Sequence, residues 1–117
     1  IQKGIRIKGS NILILGITFK ENCPDIRNTK VVDIYHELKT YNTNVSVCDP
    51  WANKEEVNKK YGIELIQINN RKNYDAIILA VAHNEFEKIN FEELNTQGVV
   101  IYDTKAFIPK NLVDGRL

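Results

Sequence analysis

Two short apolar runs constrain this chain more than any other feature. "NILILG" (11–16) and "YDAIILAVAH" (74–83) are almost wholly apolar, without the alternation of a strand that keeps one wet face. Runs of that length read as strands covered on both sides, the condition of a parallel sheet between helices. The intervening segments agree. Val31, Val32, Ile34, Tyr35, Leu38 and Tyr41 recur at helical spacing, with Asn28 or Thr29 available as the cap. "NVSVCDP" (44–50) reads as a second strand stopped by Pro50, and "NKEEVNKKYG" (53–62) as a charged helix closed by Gly62. "IELIQI" (63–68) reads as a brief third strand at an edge. "NFEELNTQG" (90–98) reads as a short helix from Asn90 to Gly98, and "VVIYDTK" (99–105) as the last strand, after which the chain trails off.

Strict alternation of strands and helices predicts an α/β fold: a three-layer, doubly wound, mainly parallel sheet of Rossmann-like type in a single domain. With 117 residues there is enough chain for one real core and too little for two. Sixteen basic residues against fifteen acidic ones leave a net charge of +1, so nothing marks the chain for nucleic acid or a membrane surface. The apolar runs are far too short to span a bilayer. Cys23 and Cys48 form neither a metal-type spacing nor a disulfide framework, which suits a reducing, cytoplasmic setting and no bound metal. Residues 1–10 ("IQKGIRIKGS") read as the end of an interdomain linker and 11–117 as the domain. With no methionine present, the chain is expected to be a piece of a longer polypeptide.

In open parallel sheets, ligands bind beyond the carboxyl ends of the strands. Here those ends are Gly16–Arg27, Asp49–Trp51, His83–Phe86 and Asp103–Lys105, and they are expected to share one rim. The first, "GITFKENCPDIR", is the most decorated. Gly16 permits a sharp turn or a close approach to the backbone. Lys20 and Arg27 flank a loop entering a helix N-terminus, an arrangement that favours anions. Asp25 is an alternative partner for either cation, and on pattern alone both readings stand. Neither GxGxxG nor a P-loop is present. Cys23 lies in this loop without a histidine–acid pair, and Cys48 lies in an apolar strand as a small core residue. His83 closes the central strand, where its ordinary role is to cap a turn or bond the loop backbone and a ligand-facing role is the second reading. Trp51 suits packing in the core or between domains.

Taken together, "LGITFKENCPDIRNTKVVDIYHELK", "VCDPWA", "AIILAVAHNEF" and "VVIYDTKAF" resemble the C-terminal domain of the UDP-glucose/GDP-mannose dehydrogenase family, from about Ile5 to Pro109. The last two segments look most like the branch acting on UDP-N-acetylhexosamines in bacterial surface-polysaccharide synthesis. The resemblance implies an enzyme that oxidises a sugar C6 alcohol to a carboxylate in two steps with two NAD+. It also implies an N-terminal Rossmann domain, a central helical region and a catalytic cysteine, all outside this chain, and a homodimer. By resemblance, Phe19 and Lys20 match a substrate-contacting FK pair, and Arg27 matches an arginine that reaches NAD. Lys105 stands where other members have a substrate-binding arginine. The resemblance therefore implies no catalytic residue in this chain, which on its own is expected to be inactive. The rival reading is a non-enzymatic doubly wound regulatory or ligand-binding module. A receiver of that kind needs an acidic cluster after its first strand and an aspartate ending its third, which "NILILG" and the Asn69 after "IELIQI" do not supply.

Overall fold

In the computed structural model, residues 8–68 and 73–116 are described. They form five strands, β1 (Asn11–Leu15), β2 (Asn44–Cys48), β3 (Ala76–Leu79), β4 (Val100–Asp103) and β5 (Gly115–Arg116), with three α-helices, α1 (Val31–Lys39), α2 (Lys54–Tyr61) and α3 (Phe91–Thr96). The sheet order is β2-β1-β3-β4-β5. Every pairing is parallel, with Leu15 opposite Cys48 and Leu79, and Leu79 opposite Asp103. The doubly wound reading holds.

The apolar runs are explained by where their side chains go. Leu13 and Leu15 of β1 join Phe86, Phe91 and Ile101 on one face of the sheet. Ile14 joins Val31, Val32, Val47 and Val57, from α1, β2 and α2, on the other. Successive strand residues point to opposite faces, so a strand covered on both sides has no position for a polar side chain. The two clusters are the two interlayer cores of a three-layer domain.

Helix boundaries follow local chemistry where a cap is present. Asn53 accepts from the Glu56 N–H at 2.9 Å and Asn90 from the Glu93 N–H at 3.0 Å, and Gly62 ends α2 in the left-handed region at φ 70°. Helix α1 differs from expectation. Its N-cap is Lys30 without a side-chain bond, and Thr29 instead accepts from the Val31 N–H at 3.2 Å.

Three further elements depart from the sequence reading. Residues 63–68 are no strand: Leu65 alone pairs with Val47, as a single parallel bridge beside β2. The segment 74–83 belongs to the sheet only over Ala76–Leu79, because the chain must leave the sheet to reach a 3-10 turn at Asn84–Lys88. The tail adds β5. There Asp114 is fixed to Ile101 through both backbone and side chain, and Gly115 lies so close to the Tyr102 ring that a Cβ would sit 2.4 Å from it.

Candidate functional site

Parallel pairing throughout sends the loops after β1, β2, β3 and β4 out of one rim. The loop after β1 carries Phe19, Lys20 and Arg27, that after β3 carries His83, and that after β4 carries Lys105. Phe19 is 59% exposed, although a phenylalanine gains by burial. Lys20 and Lys105 are also exposed, and neither forms an ion pair among the described residues.

The rim is built by buried acids. Asp49, just after β2, accepts five hydrogen bonds. Its Oδ2 takes the Ile17 N–H (2.7 Å), the Thr18 N–H (3.1 Å) and His83 Nε2 (2.9 Å). Its Oδ1 takes the Trp51 and Ala52 N–H groups at 2.8 and 3.1 Å. Burial pushes the Asp49 carboxyl up, but the bonds from His83 and the backbone outweigh it and hold the group below the usual carboxylate range. One carboxylate thereby joins the ends of three strands. Asp103 acts similarly at the end of β4, accepting from the Lys105 N–H at 2.8 Å and the Ile108 N–H at 2.7 Å. In both, an aspartate side chain stands in for a backbone acceptor and turns the chain off the strand.

Gly16 starts the β1 loop at φ +98°, and a Cβ there would lie 2.5 Å from Val81 Cβ. The close approach that its sequence position allows is made by the β3 end. The loop is then closed on itself, the Phe19 N–H donating to the Asp25 carbonyl at 2.7 Å.

His83 is fully buried. Its Nδ1 accepts from the Asn22 N–H at 2.9 Å, while Nε2 faces Thr18 Oγ1 at 3.0 Å and Asp49 Oδ2 at 2.9 Å. A backbone N–H only donates, so Nδ1 offers its lone pair and the ring proton is on Nε2. The Trp51 ring lies over the imidazole at 26° and 6.1 Å between centroids, and its Nε1 donates to Glu85 at 2.9 Å. That bond draws the Glu85 carboxyl below its usual range. His83 therefore takes its ordinary loop-bonding role, and Trp51 roofs the rim at 37% exposure.

The choice that the sequence left open for Asp25 is decided for Arg27. The guanidinium donates through Nε and Nη2 to the two carboxylate oxygens at 3.0 and 2.9 Å. This fork, with the Arg27 N–H, holds the Asp25 carboxyl down to about 2. Arg27 remains 77% exposed in its side chain, and its Nη1 edge is left for another acceptor. It borders an open groove of about 650 Å³ with Cys23, Pro24, Trp51, Asn53 and Glu56. Cys23 has no acid or histidine bond there, while Cys48 is buried in the core, where burial first and the neighbouring Asp49 second push its thiol up. Among the described residues no group of three potential metal ligands occurs, and no helix is long and apolar enough to cross a membrane.

Residues 13–110 match the model of the UDP-glucose/GDP-mannose dehydrogenase family, UDP binding domain. The chain belongs to this family. Across its whole length it is 46% identical to a UDP-N-acetyl-D-glucosamine 6-dehydrogenase of Salmonella typhi and 44% identical to one of Pseudomonas aeruginosa. It spans 28% of the length of each. Protein CapL of Staphylococcus aureus is 39% identical over 92% of the chain, which covers 26% of that protein. The fold is similar to that of the UDP-D-ManNAc dehydrogenase of Pyrococcus horikoshii, with a TM-score of 0.74 at 19% identity over 98% of this chain and 27% of that one.

The sequence placed Asp49, Asp103 and His83 at the rim and gave His83 its loop-bonding role, but not the acceptor role of the two carboxylates or the side-chain partners of His83. The two acids were visible as aspartates closing strands, which is the local signal for such a turn. The His83 bonds join residues 34 to 65 positions apart and have no local signal.

Proposed function

We propose that residues 11–117 are the UDP-sugar-binding domain, and residues 1–10 the end of the linker, of an NAD-dependent nucleotide-sugar 6-dehydrogenase. The enzyme oxidises the C6 alcohol of a UDP-N-acetylhexosamine to a carboxylate for bacterial surface polysaccharide. The observation that carries this is the 46% identity, over the whole chain, to a UDP-N-acetyl-D-glucosamine 6-dehydrogenase. Phe19, Lys20 and Lys105 face the UDP-sugar. An exposed aromatic ring and exposed ammonium groups on the same rim offer stacking and charge to a nucleoside diphosphate.

Arg27 faces NAD across the cleft. The site suits this use: Asp25 fixes the guanidinium plane, and the free edge borders an open groove wide enough for a phosphate-bearing ligand. NAD, when bound, supplies the hydride acceptor for both oxidation steps. The residues of this chain bind and orient. Lys20 and Lys105 neutralise the diphosphate, Phe19 covers it, and Arg27 holds the cofactor's charge. The nicotinamide-holding glycines and the catalytic thiol belong to the rest of a cytoplasmic, homodimeric enzyme.

The test is the full-length enzyme with NAD+ and a panel of UDP-sugars, read by NADH absorbance. Oxidation of a UDP-N-acetylhexosamine in preference to UDP-glucose is expected. Turnover of UDP-glucose alone would overturn the choice of sugar, and turnover of no UDP-sugar would overturn the proposal itself.

A further inference from the structure

The segment Thr18–Asn22 is fastened at both ends to one imidazole. At its start, Thr18 Oγ1 lies 3.0 Å from His83 Nε2, and the same hydroxyl donates to the Lys20 carbonyl at 3.1 Å. At its end, the Asn22 N–H donates to His83 Nδ1 at 2.9 Å, and the Asn22 side chain accepts from the Asn84 N–H at 3.0 Å. Between the fastenings, Phe19, Lys20 and Glu21 are exposed. The two nitrogens are rigidly spaced in a planar ring, and the ring is itself held by Asp49 below and by Trp51 and Phe86 on its sides.

We propose that His83 is a positioning residue for UDP-sugar binding: its imidazole staples the two ends of the Thr18–Asn22 loop and thereby sets where Phe19 and Lys20 stand. The inference rests on the assignment of Phe19 and Lys20 to the UDP-sugar. It goes beyond that assignment by giving a buried residue, out of reach of the ligand, a share in affinity.

The staple is divisible. His83→Asn keeps an acceptor near the Nδ1 place and loses the Nε2 end, whereas His83→Gln keeps a donor near the Nε2 place and loses the Nδ1 end. Thr18→Val removes one fastening, and with it the hydroxyl's bond to the Lys20 carbonyl, without touching the ring. In the full-length enzyme, each is expected to raise the UDP-sugar KM about three- to tenfold, the size of one lost hydrogen bond, and to leave the NAD+ KM within about twofold. In a Phe19→Ala/Lys20→Ala background, the same changes are expected to add nothing to the UDP-sugar KM, since the groups they position are gone.

The outcomes separate cleanly. If the background raises the UDP-sugar KM and the His83 changes multiply it by the same factor as in wild type, His83 acts elsewhere and this proposal is overturned alone. If both KM values rise together, or neither moves, His83 serves general stability and the proposal is again overturned. If Phe19→Ala/Lys20→Ala leaves the UDP-sugar KM unchanged, the substrate assignment fails and this inference fails with it. Should both His83 variants fail to fold, Thr18→Val decides, a selective rise in UDP-sugar KM supporting the staple and its absence refuting it.

Discussion

Replacing Asp49 by asparagine is the most informative single perturbation of this domain. The carboxylate accepts five hydrogen bonds, three at Oδ2 and two at Oδ1, and four of the five donors are backbone N–H groups. An amide has one oxygen to replace two. If it keeps the Ile17, Thr18 and His83 donors, its NH2 must face the Trp51 and Ala52 N–H groups, donor against donor. Each part-buried donor left unmatched costs about 1–3 kcal/mol, with the lower end apt where a loop can turn toward water. Two such losses give about 2–4 kcal/mol, and for a domain of this size that lowers Tm by about 8–16 °C.

Thermal melting of wild type and Asp49→Asn by circular dichroism at pH 7 measures this directly. A Tm within about 3 °C of wild type would mean that the Asp49 bonds do not hold the strand ends together, since no buried five-bond acceptor is lost that cheaply. The pH dependence adds a second check. The folded pKa of Asp49 lies below its usual value, so its stabilisation is complete above that usual value and is lost as pH falls through the lowered one. The gap between the two proteins is therefore expected to narrow below about pH 4. A gap that stays constant through acid would mean that the charge on Asp49 is not what holds the loops.

Other expectations concern the rim and its backbone. In the full-length enzyme, Lys20→Ala raises the UDP-sugar KM roughly ten- to a hundredfold, whereas Arg27→Ala acts mainly on the NAD+ KM. Wild-type constants in both would make the rim cations structural. Gly16→Ala destabilises the domain by about 2–4 kcal/mol in chemical denaturation, because it combines a left-handed φ with a clash against Val81. A near-neutral result would mean that the β3 end yields easily. The 117-residue chain alone is expected to reduce no NAD+ with any UDP-sugar in an absorbance assay, and thiol-dependent turnover there would make Cys23 a nucleophile.

What the sequence revealed depended on the range over which each feature is encoded. The strands of "NILILG" and "AIIL" and the cap at Asn90 are local: burial on both faces removes polar residues, and a cap needs a side-chain oxygen three residues before its donor. Residues 63–68 misled because "IELIQI" carries strand-forming residues, while beside β2 the segment makes only a single bridge, Leu65 with Val47, closed by the Ile66 N–H on the Val47 carbonyl. Strand β5 escaped because two residues carry no periodicity, and its place is decided by Asp114 bonding Ile101, 13 positions away. The rim itself was legible from the rule for parallel sheets, and the candidates Phe19, Lys20, Arg27 and Lys105 all leave from it. The means by which the rim is held was hidden, since His83 meets Thr18 across 65 positions.

Polar side chains at this rim divide by depth, and the division separates two jobs. Asp49, Asp103 and His83 are buried and spend their hydrogen-bonding capacity on backbone or on one another. Phe19, Lys20, Arg27 and Lys105 are exposed, and of these only Arg27 is committed to a partner by its own side chain among the described residues. Long cations on mobile loops lose conformational freedom when they grip an anion, and that loss subtracts from affinity. Fixing the backbone beneath them beforehand moves part of the cost from binding into folding, where the core already supplies the driving force. If the exposed cations hold the ligand as proposed, the buried acids contribute to its affinity by fixing the backbone beneath them. Their removal is therefore expected to appear in Tm and in KM together, while removal of a cation appears in KM alone.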